Sequence, residues 1–468
     1  MTGKKEQERS NLLDKIVALS KRRGFIFPGS EIYGGLANSW DYGPLGVQLK
    51  KNIKDLWWNK FVERREDIVG IDAAIFMNPK IWEASRHVSE FSDPLVECKK
   101  CHQRYREDEL IANHLIKNKI QHTTTEQVRG KYACPNCDGK EFTEAKQFNL
   151  MFPVRLGPAE DSSNMTYLRG EIAQAMFVNF KNVLDTTRVR LPFGIASQGV
   201  VFRNEITPGN FIFRTREFDL MELEYFVFES EWEKWFEYWR GQMREWLKDI
   251  GVDLKNVHEV EIPDGERAHY SKRTIDFEYD YPFGQKELYG LAYRTDFDLK
   301  NHIEKSGQDL SYTDPETGEK LVPHVVEPTF GLSRSVLVAL LEAYEEEDER
   351  IVLRLPARIA PYKVAVFPLL ANKPQLIEKA KIIYNNLKKY FTTAWDDRGN
   401  IGKRYYSQDE IGTVLGVTID FQTLQDNTVT VRDRDTTKQI RIEIDNLREA
   451  IQKVMDGENL FKLGKVIE

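Results

Sequence analysis

The residues of this chain best suited to chemistry crowd into one stretch, Gly199–Phe228, GVVFRNEITPGNFIFRTREFDLMELEYFVF. A period of two places Val201, Arg203 and Glu205 on one face of a first strand. The same period places Phe218, Leu220, Glu222, Glu224 and Phe226 on one face of a second, and Thr207-Pro208-Gly209-Asn210 supplies turn chemistry between them. Charges inside apolar strands are costly unless something charged meets them. Arg–Glu pairing within the sheet is one answer. The loop residues Arg214, Arg216 and Glu217, followed directly by the aromatic Phe218, point instead to an external ligand.

Two further segments carry unusual charge. Glu287 lies in an apolar run, 286–294, whose alternation puts Glu287, Tyr289, Leu291 and Tyr293 on one face. Glu327 precedes Arg334, which falls in the first turn of an apolar helix over 331–344, where a cation opposes the helix dipole and so asks for an anion. Arginines on an antiparallel sheet suit a triphosphate, because the guanidinium fork grips phosphate oxygens in pairs. Neighbouring carboxylates suit Mg2+, and an aromatic at the loop end suits a nucleobase. The chain has neither a G-x-x-x-x-G-K-[ST] loop nor a strand–G-x-G-x-x-G–helix unit, so any nucleotide is held by side chains on a sheet. All four cysteines fall in two C-x2-C pairs, Cys98/Cys101 and Cys134/Cys137, a spacing that favours tetrahedral Zn2+ over disulfides; unmetallated or redox-active thiols are the alternative.

These residues need a scaffold, and 468 residues with 41% hydrophobic content allow two or three domains with real cores. A net charge of −7 excludes a global basic field, so contact with nucleic acid must come from local patches such as Lys403-Arg404 or Arg432–Arg441. No apolar run is long enough for a membrane span, and the charged N-terminus lacks a secretory core; a cytoplasmic location is expected. The patterning predicts helices over 9–23, 45–64, 166–184 (with Glu171 near its start), 232–250 and 331–344, and strands over 67–77, 151–156, 286–294 and 321–327. Residues 80–150, with the cysteines, read as an insertion, helical and then polar over 106–130. Pro356–Pro361 marks a domain boundary. Beyond it strands at 363–368, 394–398, 416–421 and 428–433 alternate with helices at 374–390, 407–415 and 445–455, an independent α/β domain.

Taken together, the motifs resemble those of class II aminoacyl-tRNA synthetases, and specifically the homodimeric glycyl-tRNA synthetases. Residues 45–79 are similar to the family's first motif, Phe202-Arg203-Asn204-Glu205 through Phe218 to its second, and Gly331-Leu332-Ser333-Arg334 to its third. The subtype rests on YLRGE (167–171), FRTREF (213–218), FDLMELEYF (218–226), KELYG (286–290), RTDFDL (294–299), EPTFG (327–331) and RDRDT (432–436). The resemblance implies an α+β fold: an antiparallel-sheet catalytic domain over 1–359 with a zinc-knuckle insertion at about 80–150, and an α/β anticodon-binding domain over 360–468.

The resemblance also implies roles. ATP would be held by Arg203, Asn204, Glu205, Phe213, Arg214, Thr215, Arg216, Glu217, Phe218, Glu287, Leu288, Gly331, Leu332, Ser333 and Arg334. Within that set Arg203 would grip the α-phosphate and the amino-acid carboxylate, Glu205 the adenine amino group, and Arg214 with Arg334 the γ-phosphate. Phe218 would stack on adenine, Glu287 would ligate Mg2+, and Arg203, Arg334 and Glu287 would be the catalytic residues. Glycine would meet Arg106, Glu171, Phe218, Asp219, Leu220, Met221, Glu222, Glu327, Pro328, Thr329, Phe330 and Gly331. Of these, Glu171, Glu222 and Glu327 would take its ammonium, and Thr329 would close the space of a side chain. Cys98, Cys101, Cys134 and Cys137 would hold a structural Zn2+. The implied partners are ATP, glycine, tRNA(Gly) and a second copy of the chain, with no membrane, and the implied reaction passes through a glycyl-adenylate and releases AMP and pyrophosphate. Lys403, Arg404, Tyr405 and Tyr406 combine charge and aromatic faces suited to unstacked bases. Thr329 where serine is usual, Ser333 beside Arg334 and Tyr293 depart from the family pattern. The alternatives are a non-catalytic synthetase-like factor that binds nucleic acid, a synthetase for another small amino acid, and, for the cysteines alone, a Zn-ribbon module.

Overall fold

The computed structural model describes residues 2–118, 128, 130–158 and 164–467. Helix α1 (Thr2–Arg23) leads to α2 (Pro44–Trp58), which starts with a proline at its first position and runs on through a π-turn at Asn59–Glu63. The short strand β1 (Ile68–Gly70) follows, then α3 (Glu107–Asn118) and α4 (Ala173–Val178). The long strands β2 (Phe193–Phe202) and β3 (Glu217–Val227) flank the arginine-rich loop, and α5 (Trp232–Asp249) comes next. Strands β4 (Val257–Glu261), β5 (Arg273–Tyr281) and β6 (Gly284–Thr295), helix α6 (Phe297–Ser306), strand β7 (His324–Gly331) and helix α7 (Leu332–Ala343) complete this part.

These strands form a seven-stranded sheet in the order β4-β5-β6-β7-β3-β2-β1, antiparallel except for the β1–β2 pair. Alternation sorts its two faces. Met221, Leu223, Tyr225, Val326, Phe330, Tyr289 and Leu291 enter the main core with Trp57, Phe61, Trp239 and Trp246 of the helical layer. On the other face α4 and α6 cover one end, packing Phe177 and Leu299 over Phe193, Phe226 and Val325. The opposite end of that face stays open, and there the charged residues collect.

Several expectations need correction. The strand expected over 67–77 forms a ladder only at 68–70, with one further bridge from Phe76 to Leu168, because Arg169 and Thr166 take the carbonyls of Ala73 and Met77. Residues 165–168 are not helical but pair as a strand with 152–155, so Glu171 lies just before α4 rather than inside a longer helix. A register shift in β6 opposite Phe277/Glu278 leaves Leu288 as an extra residue, and this bulge overturns the expected face of Glu287. Tyr289 and Leu291 enter the core, whereas the Glu287 carboxylate turns to the open face, where it and Asp276 lie about 4.0 and 3.9 Å from where a Cβ on Gly290 would stand.

The C-terminal part has its own sheet. Strand β8 (Val364–Pro368), helix α8 (Pro374–Leu387), strand β9 (Thr393–Trp395) and helix α9 (Ile401–Asp409) are followed by β10 (Leu415–Ile419), β11 (Thr428–Asp433), β12 (Gln439–Glu443), α10 (Ile444–Met455) and β13 (Lys465–Ile467). The order is β9-β8-β10-β11-β12-β13. The helix expected at 407–415 begins earlier, because the Asn400 side chain accepts from the Lys403 N–H as an N-cap, and Gly412 lies beyond its end. That shift removes part of the expected base-reading patch. Arg404 is buried and donates to the carbonyls of Pro368, Arg398 and Gly399, and Tyr405 packs on Phe367. Lys403 and Tyr406 remain exposed. Arg432 and Arg441 are likewise consumed by ion pairs with Asp409 and Asp420.

Candidate active site

The open half of the sheet is a cleft of about 590 Å³, its solvent-open mouth included, lined by residues of β3, β6, β7 and α7 and by the loop between β2 and β3. Arg203 continues β2 past its last residue, because its N–H donates to the Arg216 carbonyl. Its guanidinium lies 5.2 Å from the Phe91 ring and 5.4 Å from the Phe218 ring, and its Nε donates to the Gly170 carbonyl. Arg334, from the first turn of α7, lies over Phe213 and meets the Glu287 carboxylate at 3.1 Å. Partial burial pushes Glu287 up, but the Arg334 guanidinium outweighs it and holds the carboxyl below the ordinary range. Arg214 pairs with Glu109 of α3 and approaches Glu205 at 3.9 Å. Asp276 stands next to Glu287 without a cation of its own; burial, then the Glu287 and Glu278 carboxylates, push it up to about 8. Two carboxylates repelling each other across Gly290, with cationic arginines nearby, are the donor set a divalent cation bound to phosphate requires.

Beyond Thr329 the cleft gives way to a buried acidic cluster. Register fixes it: Glu222 lies opposite Thr329, and the next row brings Glu224 beside Glu327. Glu171 arrives from the turn before α4. Arg294, fully buried at the end of β6, donates to Glu327 at 2.9 Å and forks onto Asp298 at 2.8 and 3.0 Å, with Glu171 at 3.7 Å. Glu171 also meets His87 at 3.3 Å and accepts from Gln174. Burial pushes Glu171 up, but His87 and Arg294 prevail and hold it well below the usual range. Glu222 accepts one hydrogen bond, from the Ile172 N–H. Arg169 holds this wall upright, donating to Val200 and Ala73, and Gly199 is what admits it: a Cβ there would lie 2.1 Å from Arg169 Nη2.

Of the residues anticipated from the sequence, Arg203, Glu205, Phe213, Arg214, Thr215, Phe218, Asp219, Leu220, Glu287, Leu288, Thr329, Gly331, Ser333 and Arg334 line the cleft. The Asp219 carboxylate, however, is taken by Lys50 of α2. Met221, Phe330 and Leu332 point into the core, and Pro328, opposite Leu291, shares that side. Asn204 offers its backbone to Leu150, Arg216 donates to the Glu205 carbonyl, and Glu217 is exposed; none of the three lines the cleft. Arg106 does not join the glutamates, being held by Asp93 at 3.0 Å and Asp108 at 2.6 Å. Tyr293 also leaves the pocket, stacking on Trp232 at 4.1 Å and meeting His324. Sequence reading missed the roles of Arg294, Glu224 and Asp276. The i, i+4 pair of Arg294 and Asp298 and the acid of Asp276 between Ile275 and Phe277 were the available signals.

The four cysteine sulfurs lie within 4.8 Å of one another, with Cys98–Cys137 at 3.6 Å and Cys101–Cys134 at 3.5 Å. A tetrahedral Zn2+ with Zn–S bonds of about 2.3 Å needs sulfurs ~3.8 Å apart, so the set fits one ion. Both knuckles close alike, through His102 N–H to Cys98 O and Asp138 N–H to Cys134 O, with positive φ at His102 and Asp138. The polar remainder of the expected insertion, at 119–127 and 129, lies outside the described residues.

Comparison with known proteins gives two family matches. The family described as "tRNA synthetase class II core domain (G, H, P, S and T)" matches residues 159–344, and "Anticodon binding domain" matches residues 363–454. The chain is 52% identical to "Glycine--tRNA ligase" of Caldanaerobacter subterraneus over 94% of its own length and 98% of that protein. It is 49% identical to the protein of that name from Geobacillus thermodenitrificans, over 96% and 98%, and 52% identical to that of Acetivibrio thermocellus, over 94% and 98%.

Proposed function

The chain belongs to the glycine--tRNA ligases of the class II aminoacyl-tRNA synthetases, and from that premise we infer how its cleft joins glycine to ATP and then to tRNA. The enzyme ligates glycine to tRNA(Gly) at the expense of ATP, through a glycyl-adenylate. One observation carries the assignment of the site: Arg203, Arg334 and Glu287 converge in a cleft that continues, past Thr329, into the acidic cluster.

In this reading the ATP triphosphate replaces the carboxylates that now neutralise Arg334 and Arg214. Arg203 spans the α-phosphate and the glycine carboxylate, and Phe218 stacks on adenine. Glu287 and Asp276 would hold Mg2+, which when bound neutralises charge on the phosphates. The glycine carboxylate then attacks the α-phosphorus in line, pyrophosphate leaves, and alignment by Arg203 with charge neutralisation by Arg334 lowers the barrier; no protein base is needed. The glycyl group passes to a terminal ribose hydroxyl of tRNA, releasing AMP. Glu171, Glu222 and Glu327 receive the ammonium, and the Thr329 methyl occupies the room an alanine side chain would need.

The division into a catalytic part over 1–359 and an anticodon-reading part over 360–468 belongs to the same reading, supported by the separate sheets. So does a structural Zn2+ on Cys98, Cys101, Cys134 and Cys137. A homodimer accounts for the exposed Ile32, Tyr33 and Leu36 ahead of the first motif and Val47 at its start. Light scattering of a Tyr33→Asp/Leu36→Asp variant is expected to report a monomer. No described helix is long and apolar enough to cross a membrane, and a cytoplasmic location fits the four unpaired thiols.

The test is glycine-dependent exchange of pyrophosphate into ATP, with Arg203→Ala as the control. Exchange with glycine but not serine, alanine, proline or threonine, abolished by Arg203→Ala, is expected. A pure protein that binds tRNA yet shows no exchange would establish the accessory-factor reading instead.

A further inference from the structure

Five buried carboxylates, Glu171, Glu222, Glu224, Glu327 and Asp298, surround the buried guanidinium of Arg294. Their partners are unequally shared. Arg294 satisfies Glu327 and Asp298, and Glu171 has His87 and Gln174. Glu222 has one backbone N–H, and neither oxygen of Glu224 has any hydrogen-bond partner. An ionised carboxylate with no partner in such a place is far costlier than a protonated one.

Two other guanidinium groups lie near Glu222, those of Arg169 and Arg203, and among the described residues neither donates a hydrogen bond to Glu222 or Glu224. Across from Glu222 and Glu224, β7 presents Glu327, and α6 presents Asp298 and His302. The segment before α4 presents Arg169 and Glu171, and Arg169 is committed to the Val200 and Ala73 carbonyls. Tyr270 closes the wall against Arg294, at 3.7 Å from its guanidinium, and Arg203 lies at the cleft end. His87 faces Glu171.

We propose that Glu224 is a protonated acid buried behind the amino-acid pocket, out of contact with glycine, and that Glu222 is the acid that surrenders its proton when the glycine ammonium enters, so that glycine binding releases one proton. The inference rests on the reading of Glu171, Glu222 and Glu327 as the ammonium site. The exchange balances: the free pocket holds Glu222 as the carboxylic acid, glycine arrives as the zwitterion, Glu222 becomes the carboxylate paired with the ammonium, and the proton goes to solvent. Burial, then the Glu327 and Glu171 charges, push Glu222 up to about 8, and burial with Glu327 pushes Glu224 well above the ordinary range. Glu222, which the cleft side and the Ile172 N–H reach, is thus the group placed to exchange its proton for an ammonium, whereas Glu224 has no partner to receive one.

The sign follows. Below pH 8 glycine must displace a proton, so its apparent affinity rises with pH, by about tenfold between pH 6 and 7, and levels off above 8. The wild-type enzyme tests this without any substitution. The KM for glycine in pyrophosphate exchange is expected to fall from pH 6 to 8 while that for ATP does not follow it. Calorimetry of glycine binding at pH 7 in phosphate and Tris buffers is expected to count about one proton released. Glu224→Gln, which keeps the neutral shape, is expected to hold glycine KM within about threefold with the same pH slope. A flat glycine profile, no proton release, or a Glu224→Gln enzyme that is normally folded with KM raised tenfold would each overturn the proposal. Failure of the underlying reading looks different: Glu222→Gln and Glu327→Gln would both leave glycine KM unchanged.

Discussion

Arg334 reaches the cleft from the first turn of α7, where its charge opposes the helix dipole and is offset by Glu287 and the Phe213 ring. Its guanidinium spreads its donors, Nη1 meeting the Glu287 carboxylate at 3.1 Å and its backbone carbonyl at 2.8 Å while Nε donates to the Phe213 carbonyl at 3.4 Å. Arg334→Lys keeps the charge and loses the fork, so kcat/KM for ATP is expected to fall by about 1.5–3 kcal/mol, roughly 10- to 150-fold, in the exchange assay. Glu222 gives a second residue-scale prediction. Its folded value of about 8 lies above the ordinary 4.5, so its contribution to stability is full below 4.5 and is lost as pH rises through 8. The melting temperature of the glycine-free enzyme should therefore fall less between pH 5 and 8 in Glu222→Gln than in wild type. At this scale the sequence was legible wherever a residue's charge contradicted its apolar neighbours, as at Arg203, Glu222 and Arg334. It was silent where a charge is answered inside the fold, as at Arg294, whose partners arrive from α6, β7 and the turn before α4.

Elements were legible in proportion to the regularity of their patterning. The tryptophan stripe of α5 and the apolar run of α7 lie where periodicity puts them, within a residue or two. Irregularities were not, because strict alternation carries no mark of the extra residue at Leu288, and that residue decides which face Glu287 occupies. The segment at 165–171 misled for a related reason: its backbone partners, 152–155 and the Arg169 contacts, come from elsewhere in the chain. The close approach of Arg169 to Gly199 is a testable consequence. Gly199→Ala places a methyl 2.1 Å from the guanidinium and is expected to cost about 1–3 kcal/mol of stability, read by denaturant unfolding. Arg169→Ala in the same background should return part of that loss. The cysteine cluster is the other autonomous element. Chelation, or Cys98→Ser, is expected to expose residues 92–149 to proteolysis while the seven-stranded sheet keeps its near-ultraviolet signal.

The two halves of the molecule are joined by a connector that begins at the cleft. Helix α7 carries Arg334 at its start and runs into a hairpin, Tyr344–Glu346 with Ile351–Leu353, whose Arg350 crosses to the C-terminal part. There Asp409, at the end of α9, is gripped by Arg350 at 2.6 Å and forked by Arg432 at 2.8 and 2.9 Å. Arg434 donates to the Leu355 and Gly412 carbonyls, and Arg22 and Arg23 of α1 both hold Glu410. All of Arg350, Asp409 and Arg432 are buried, so the latch is screened little by salt and orients one half against the other. On the proposed function, amino-acid activation needs only the cleft, whereas charging needs the tRNA acceptor end and the anticodon-reading surface at a fixed separation. Asp409→Asn leaves two buried guanidinium groups without their shared anion, at a cost of about 3–5 kcal/mol to the interface. Pyrophosphate exchange is expected to stay within about twofold of wild type, while kcat/KM for tRNA falls at least tenfold, measured below the variant's melting temperature. Equal loss in both assays would mean that the latch serves the stability of the chain as a whole, and not the placement of α9 relative to Arg334.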